Sequence, residues 1–197
     1  MRGFATVEFQ LMLLRRMADY QPELVRRATA ELGRPRSAVP AAHHRWQTMI
    51  RSRTFPVGLD RLRIVLGPPE TLFTRDFGDA VHEVAHWRLP LWPDLRYEAM
   101  VRPGGPALQE WLVRPDPATA PDLATAADVR PWTCVVGDLE KAFGPVEHED
   151  GDAPSRWTVA FTSPGAASPG PASPGQAGRH LARFAWGLVQ TVSPLAG

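Results

Sequence analysis

The sequence predicts an α+β fold, because its periodicity changes from helical to strand-like after residue 58. The N-terminal part has apolar residues every three or four positions, which is the spacing of a helix face. The centre alternates apolar and polar residues, which is typical of a strand buried on one side. Because short turns separate the predicted strands, we expect N-terminal helices packed on an antiparallel, Trp-rich β-meander, followed by a flexible linker and a C-terminal helix.

Three helices are predicted in residues 1–58. The first is apolar on nearly all sides, so we expect it to be deeply buried. Its inner stripe, at helical spacing, is Phe4, Val7, Leu11, Leu14 and Ala18. Pro22 in the first turn and Gly33 just past the end bound a second helix, and a third begins after Ser37 and ends near Arg51.

The sheet is predicted in residues 59–162. Apolar residues alternate with arginines from Arg61 to Leu66, and this segment is interpreted as the first strand. A hairpin follows, in which residues 72–75 pair with residues 81–89 through the turn Phe77-Gly78-Asp79.

The clearest strand runs from Leu95 to Val101, where apolar and charged residues alternate strictly. The turn at residues 103–106, which contains two glycines and two prolines, returns the chain as a strand from Leu108 to Val113. These segments predict an antiparallel meander.

The remaining part of the sheet region is less regular. A short helix is predicted at residues 138–143, an acidic turn at residues 147–152 and a strand at residues 157–162. Phe143-Gly144-Pro145 echoes Leu66-Gly67-Pro68, but three residues are too few to predict an internal repeat.

Residues 163–178 carry no charge and consist of Ser, Pro, Gly, Ala and one Gln, which predicts a flexible linker. Beyond it, residues 179–197 are interpreted as an amphipathic helix, because Phe184 and Leu188 belong to an apolar stripe at helical spacing. The 197 residues are expected to form one globular domain overall.

Composition indicates an ordinary soluble protein, with 44% hydrophobic and 22% charged residues. The single cysteine, Cys134, excludes an internal disulfide and a multi-cysteine zinc site. The apolar N-terminal run is interrupted by Glu8 and Gln10, and no segment reaches the length of a spanning helix. We therefore expect a cytoplasmic protein without a membrane contact.

One motif carries possible catalytic chemistry. His82-Glu83-Val84-Ala85-His86 matches H-E-x-x-H and resembles the zincin metallopeptidase motif. The resemblance implies a zinc-dependent hydrolase with His82 and His86 as metal ligands, Glu83 as general base and Glu98 as the third ligand.

The alternative interpretation of the same residues is a strand. Val81, Ala85 and Trp87 would then face inward, while His82 and His86 would face outward. Because the following segments form a meander, a further strand extends the same sheet, and the sequence favours this interpretation.

A second pattern resembles helix-turn-helix DNA binders, since Gly33 and Val39 have the spacing of the turn glycine and the buried aliphatic residue. Residues 1–63 contain 12 arginines and 5 acidic residues, which would suit phosphate contacts. The residues predicted to contact DNA are Arg34, Arg36 and Arg45. An ordinary helical hairpin explains the same pattern.

Seven tryptophans suggest either core packing or an aromatic surface for a partner. The predicted interaction surface comprises Trp92, Trp111, Phe184 and Leu188. With every catalytic signal open to a structural explanation, the sequence favours a non-enzymatic protein-interaction or accessory module that binds another protein or itself and needs no cofactor. The zinc hydrolase and the DNA-binding protein are the alternatives.

Overall fold

The computed structural model describes residues 3–78, 80–165 and 175–195. These residues form five α-helices, two single-turn 3-10 helices and two four-stranded antiparallel sheets, which confirms the predicted α+β class. The chain divides into two compact units, Met1–Trp111 and Leu112–Gly197. The helices are α1 (Thr6–Met17), α2 (Pro22–Glu31), α3 (Ala38–Ile50), α4 (Gly58–Leu66) and α5 (Val136–Phe143). The strands are β1 (Thr71–Phe77), β2 (Ala80–Arg88), β3 (Arg96–Val101), β4 (Ala107–Val113), β5 (Glu147–Ala153), β6 (Arg156–Gly165), β7 (Gly175–Ala185) and β8 (Leu188–Pro194).

The three N-terminal helices lie where the sequence predicts them. Seven of the twelve residues of helix α1 are buried and none is fully exposed, as its apolar circumference requires. Phe9 of α1 contacts two other rings edge-on, Trp46 of α3 at 5.5 Å and Tyr97 of β3 at 4.9 Å between centroids. These aromatic contacts join α1, α3 and the first sheet in one core.

The segment from Arg61 to Leu66 is helical, so the predicted strand is wrong. Its alternating pattern also fits a helix, and the exposed Ile64 shows that the inner face repeats every three residues. The buried side chains of this helix are Leu59, Leu62 and Val65. A Cβ on Gly58, the first residue of α4, would lie 2.5 Å from the carbonyl oxygen of Gly105, so glycine permits α4 to lie directly against the β3–β4 turn.

The first sheet has the strand order β1-β2-β3-β4. Strands β1 and β2 pair without a break from Thr71 opposite His86 to Phe77 opposite Ala80, which confirms the predicted hairpin. Strand β3 pairs antiparallel with β2, and Glu98 lies opposite His86. The predicted meander is therefore present, and β1 and β4 are its edge strands.

The second unit contains the sheet β5-β6-β7-β8 and helix α5. Its core comprises Leu123, Val129, Cys134, Val136, Leu139, Val159, Phe161, Ala182, Phe184 and Val189. Residues 147–152, predicted as an acidic turn, belong to strand β5, because they pair with β6 through a register shift between Glu149 and Ala153.

The C-terminal segment is a hairpin rather than the predicted helix. Strands β7 and β8 pair antiparallel, with Ala185 opposite Leu188, and Trp186-Gly187 form the two-residue turn. Both turn residues have positive φ, 54° and 76°, as a type I′ turn requires. Of the predicted linker, residues 163–165 belong to β6 and residues 175–178 to β7, while 166–174 lie outside the described residues.

The short sequence echo corresponds to a repeated structural element. Helix α4 ends at Gly67 with φ 80° and ψ −165°, and α5 ends at Gly144 with φ 83° and ψ −158°. In each unit a short helix therefore ends at a left-handed glycine followed by proline, and a four-stranded antiparallel sheet follows.

Candidate interaction site at the edge of the first sheet

Strand β1 is exposed over its first six residues. Each residue from Thr71 to Asp76 is exposed, including the apolar side chains of Leu72 at 52% and Phe73 at 39%. Because side chains alternate across a strand, Leu72 and Phe73 lie on opposite faces of the sheet. Val81, opposite Asp76 on β2, adds exposed apolar surface on the face of Leu72.

Strand β1 has two charged side chains, the exposed Asp76 and Arg75, and the guanidinium of Arg75 is held by a buried carboxylate. Arg75 donates from Nη1 and Nη2 to the two carboxylate oxygens of Glu98, at 3.0 Å each. Natural sheets block open edges with charges, prolines or bulges. Strand β1 contains no proline, its pairing with β2 has no register shift, and its guanidinium is held by a buried partner.

Glu98 is the centre of a buried polar cluster. Besides the two bonds from Arg75, its carboxylate accepts one from His86 Nε2 at 2.9 Å and one from Trp111 Nε1 at 3.2 Å. Its side chain is only 2% exposed. The alternation of apolar and charged residues in the sequence of β3 would place Glu98 on a solvent face, but both faces of β3 are buried.

The hydrogen bonds decide the ionisation state of this carboxyl. Burial raises the pKa of Glu98, but the bonds from His86, Arg75 and Trp111 outweigh burial and lower the pKa to about 2. Glu98 is therefore a carboxylate at neutral pH and serves as a fixed acceptor, not as a proton donor.

The cluster supports the exposed Phe73 ring from behind. His86 meets the Phe73 ring edge-on at 5.3 Å between centroids, and the Arg75 guanidinium carbon lies 5.6 Å from the ring centre. Since Glu98 fixes both Arg75 and His86, it also fixes the groups against which Phe73 lies. The edge of the sheet thus presents an ordered aromatic side chain.

The H-E-x-x-H segment is strand β2, as the favoured interpretation predicts. Ala85 and Trp87 are buried as expected, but Val81 is exposed, and His82 is buried and His86 half-buried instead of facing solvent. Four residues along a strand span about 13 Å, so His82 and His86 share a face without facing one ion. Glu83 points to the opposite face. Of the proposed zinc ligands, His86 and Glu98 do come together, but as partners in a hydrogen bond. Within the described residues, no group of three or more His, Cys, Asp or Glu side chains is placed to hold a metal ion.

The three arginines predicted to contact DNA have separate environments. Arg34 reaches Glu8 of α1 at 3.4 Å. Arg45 donates to the carbonyl of Gly3 at 3.1 Å and lies over the ring of Phe4. Arg36 borders a cleft between α1, α2 and α3.

The aromatic surface predicted from the sequence is mostly core. Phe184 and Leu188 have no exposed area, and Trp92 is 5% exposed, so these side chains are not accessible to a partner of the folded chain. Trp111 is half-buried and donates to Glu98. It is the member of the predicted surface that belongs to the candidate site.

Sequence reasoning missed Leu72, Phe73 and Arg75. One signal in the sequence could have indicated Leu72 and Phe73. Two adjacent apolar residues in a strand point to opposite faces of the sheet, so an edge strand exposes at least one of them. The Arg75–Glu98 pair has no local signal, because the two residues are 23 positions apart.

Comparisons with known proteins add little. No family model matches this chain, and no curated protein matches it. It is similar to the solved structure of a proposed β-lactamase inhibitor protein from Streptococcus mutans, with 8% identity and a TM-score of 0.29, over 74% of this chain and 86% of that one. A likeness this weak carries no argument about function. Among the described residues, none of the helices combines the length and apolarity that crossing a bilayer requires.

Proposed function

We propose that this protein is a protein-interaction module that pairs an extended segment of another protein with strand β1. The observation that carries the proposal is the open edge itself: an exposed strand with apolar side chains on both faces, whose arginine is bound to Glu98. Strand addition gives affinity through main-chain hydrogen bonds and specificity through alternate side chains. Phe73 and Leu72 would each contact the added strand on one face.

Strand β5, at the edge of the second sheet, has features that protect a sheet edge against pairing with another chain. Strand β5 contains four acidic residues, and a register shift interrupts its pairing with β6. Both features oppose the addition of a further strand. Strand β1 has one acidic residue, Asp76, and no register shift, so β1 is the edge we assign to a partner.

The test is selection of short random peptides on the immobilised protein, followed by NMR mapping of the selected peptides on the labelled protein. The shifts are expected at the amides of residues 71–77. Leu72→Lys or Phe73→Lys places a charge on the edge and should abolish binding. Ile64→Lys is the matched control, because Ile64 is an equally exposed apolar residue, 51% against 52% for Leu72, but lies on α4.

Peptides that bind the Leu72→Lys and Phe73→Lys variants as well as the parent, or that shift other amides, would contradict the proposal. Sedimentation velocity on the protein alone completes the test. A dimer that dissociates in the Phe73→Lys variant would show that the edge pairs with a second copy instead.

A further inference from the structure

A second feature of the first unit, separate from β1, is a cleft of about 220 Å³ between α1, α2 and the start of α3. Its floor is apolar. Val25 and Val39 are buried there, and the Thr29 hydroxyl donates to the Val25 carbonyl at 2.7 Å, so the hydroxyl proton is not available to a ligand. The side chains that line this floor are short, Ala18, Val25, Thr29 and Val39.

The rim of the cleft is cationic. Three arginines contribute to its lining, one from α1, one from α2 and one from the α2–α3 loop: Arg15, Arg26 and Arg36. Arg15 pairs with Asp19 at 2.8 Å and Arg26 with Glu23 at 2.9 Å. Each guanidinium has five N–H donors, so these single contacts leave donors for a ligand.

Arg36 differs from the other two, because within the described residues it has neither an ion pair nor a side-chain hydrogen bond. The rim therefore has one more positive charge than its local acids neutralise. Of the rim arginines, Arg15 also acts on His43 of α3, whose pKa is lowered first by burial and then by the charges of Arg15, Arg16 and His44.

We propose that this cleft binds a small organic acid, with the carboxylate at the arginine rim and a short apolar body on the valine floor. The charge of the rim selects an anion, and the apolar floor selects an apolar body over a second polar group. The size of the cleft, about 220 Å³, suits a short-chain carboxylate.

The test is titration of the ¹⁵N-labelled protein with sodium hexanoate, followed by NMR. Shifts are expected at the amides of Val25, Thr29 and Val39. Sodium acetate supplies the carboxylate alone, and hexylammonium chloride supplies the apolar body with the opposite charge. Both should bind at least about tenfold more weakly than hexanoate.

Two variants of the cleft and one control variant distinguish binding in the cleft from non-specific binding. Arg36→Gln should weaken hexanoate binding about tenfold, whereas Arg34→Gln, in the same loop but outside the cleft lining, should leave it unchanged. Val39→Leu fills the cleft and should prevent binding, and a Tm no lower than that of the parent would show that this variant folds.

Equal binding of hexanoate and hexylammonium, unchanged binding by Arg36→Gln, or shifts outside the cleft would each overturn the proposal. These results are independent of the peptide experiment on β1, because no residue is altered in both.

Discussion

Arg75 and Glu98 form a bidentate ion pair, in which each terminal guanidinium nitrogen donates to a different carboxylate oxygen at 3.0 Å. The arginine is 42% exposed and the glutamate 2%, so the pair links the open edge of the first sheet to its buried interior. An arginine that would otherwise extend into solvent and block the edge is instead fixed in one orientation.

The first prediction concerns acid stability. The folded-state pKa of Glu98 is about 2, below its usual value of 4.5, so the ionised carboxylate stabilises the fold above pH 4.5. This stabilisation should disappear as the pH falls from 4.5 towards 2. Glu98→Gln should lower the free energy of unfolding by about 2 kcal/mol at pH 7, and urea titrations should show a smaller difference from the parent at low pH.

A matched control for Glu98 is Glu23→Gln, which removes an exposed ion pair with Arg26 on α2. It should change the free energy of unfolding by less than about 1 kcal/mol. If Glu98→Gln loses the same stability at every pH, the carboxylate is not stabilised by its donors as described.

The second prediction concerns the pair formed by Arg61 of α4 and Glu110 of β4, which lies behind the same sheet. Arg61 Nε and Glu110 Oε1 are buried and have no hydrogen-bond partner among the described residues. Burial raises the pKa of Glu110, although Arg61 lowers it in part, so its ionised form is incompletely compensated.

Replacing both members of this pair with apolar residues should therefore change the free energy of unfolding little. Glu110→Ala alone leaves a half-buried guanidinium without its acid and should destabilise the protein by about 3 kcal/mol. Glu110→Leu combined with Arg61→Met should be as stable as the parent or more so, as measured by urea unfolding. A double variant less stable than Glu110→Ala would show that the ion pair itself stabilises the fold.

Sequence periodicity predicted the elements that have clear local signals. The β1–β2 hairpin follows from the turn at Gly78, and α2 from Pro22 and Gly33. Segments too short to distinguish two periods were misassigned: residues 61–66 fit a strand and a helix equally well before their neighbours are known. The C-terminal helix was predicted from spacing alone, although Trp186-Gly187 is a two-residue turn.

The candidate site was less accessible to sequence reasoning than the fold. His86, Glu98 and Trp111 were singled out, but for a metal site and an aromatic surface. Their common cluster depends on three different strands and on Arg75, whose pairing is set by sheet register. Register between distant segments is a tertiary property, so no local pattern specifies it.

The third prediction concerns Arg114, which is buried in the second unit. Its guanidinium donates in three directions, from Nε to Asp138, from Nη1 to Thr119 and from Nη2 to the Thr133 carbonyl. Lysine keeps the charge but lacks the planar group that donates in several directions. Arg114→Lys should therefore lower the free energy of unfolding by about 3 kcal/mol.

Limited proteolysis of the Arg114→Lys variant should show faster cleavage between Thr119 and Thr133, because the Arg114 guanidinium donates hydrogen bonds to both ends of this loop. Arg179→Lys is the control, since Arg179 pairs with Glu147 on the surface and its replacement should change stability by less than about 1 kcal/mol. Unchanged cleavage of the loop in Arg114→Lys would show that other contacts hold it.

The fourth prediction compares the same substitution at two glycines of the second unit. Gly187 has φ 76° in the β7–β8 turn, a conformation that a Cβ disfavours, so Gly187→Ala should lower stability by about 1 kcal/mol. Gly137 lies in helix α5 with no atom within 4 Å of an added Cβ. Gly137→Ala should raise stability by about 0.5 kcal/mol, because alanine is the better helix former. Urea unfolding of both variants would show opposite signs if the C-terminal segment is a hairpin. If residues 179–197 were a helix instead, both substitutions would stabilise the protein.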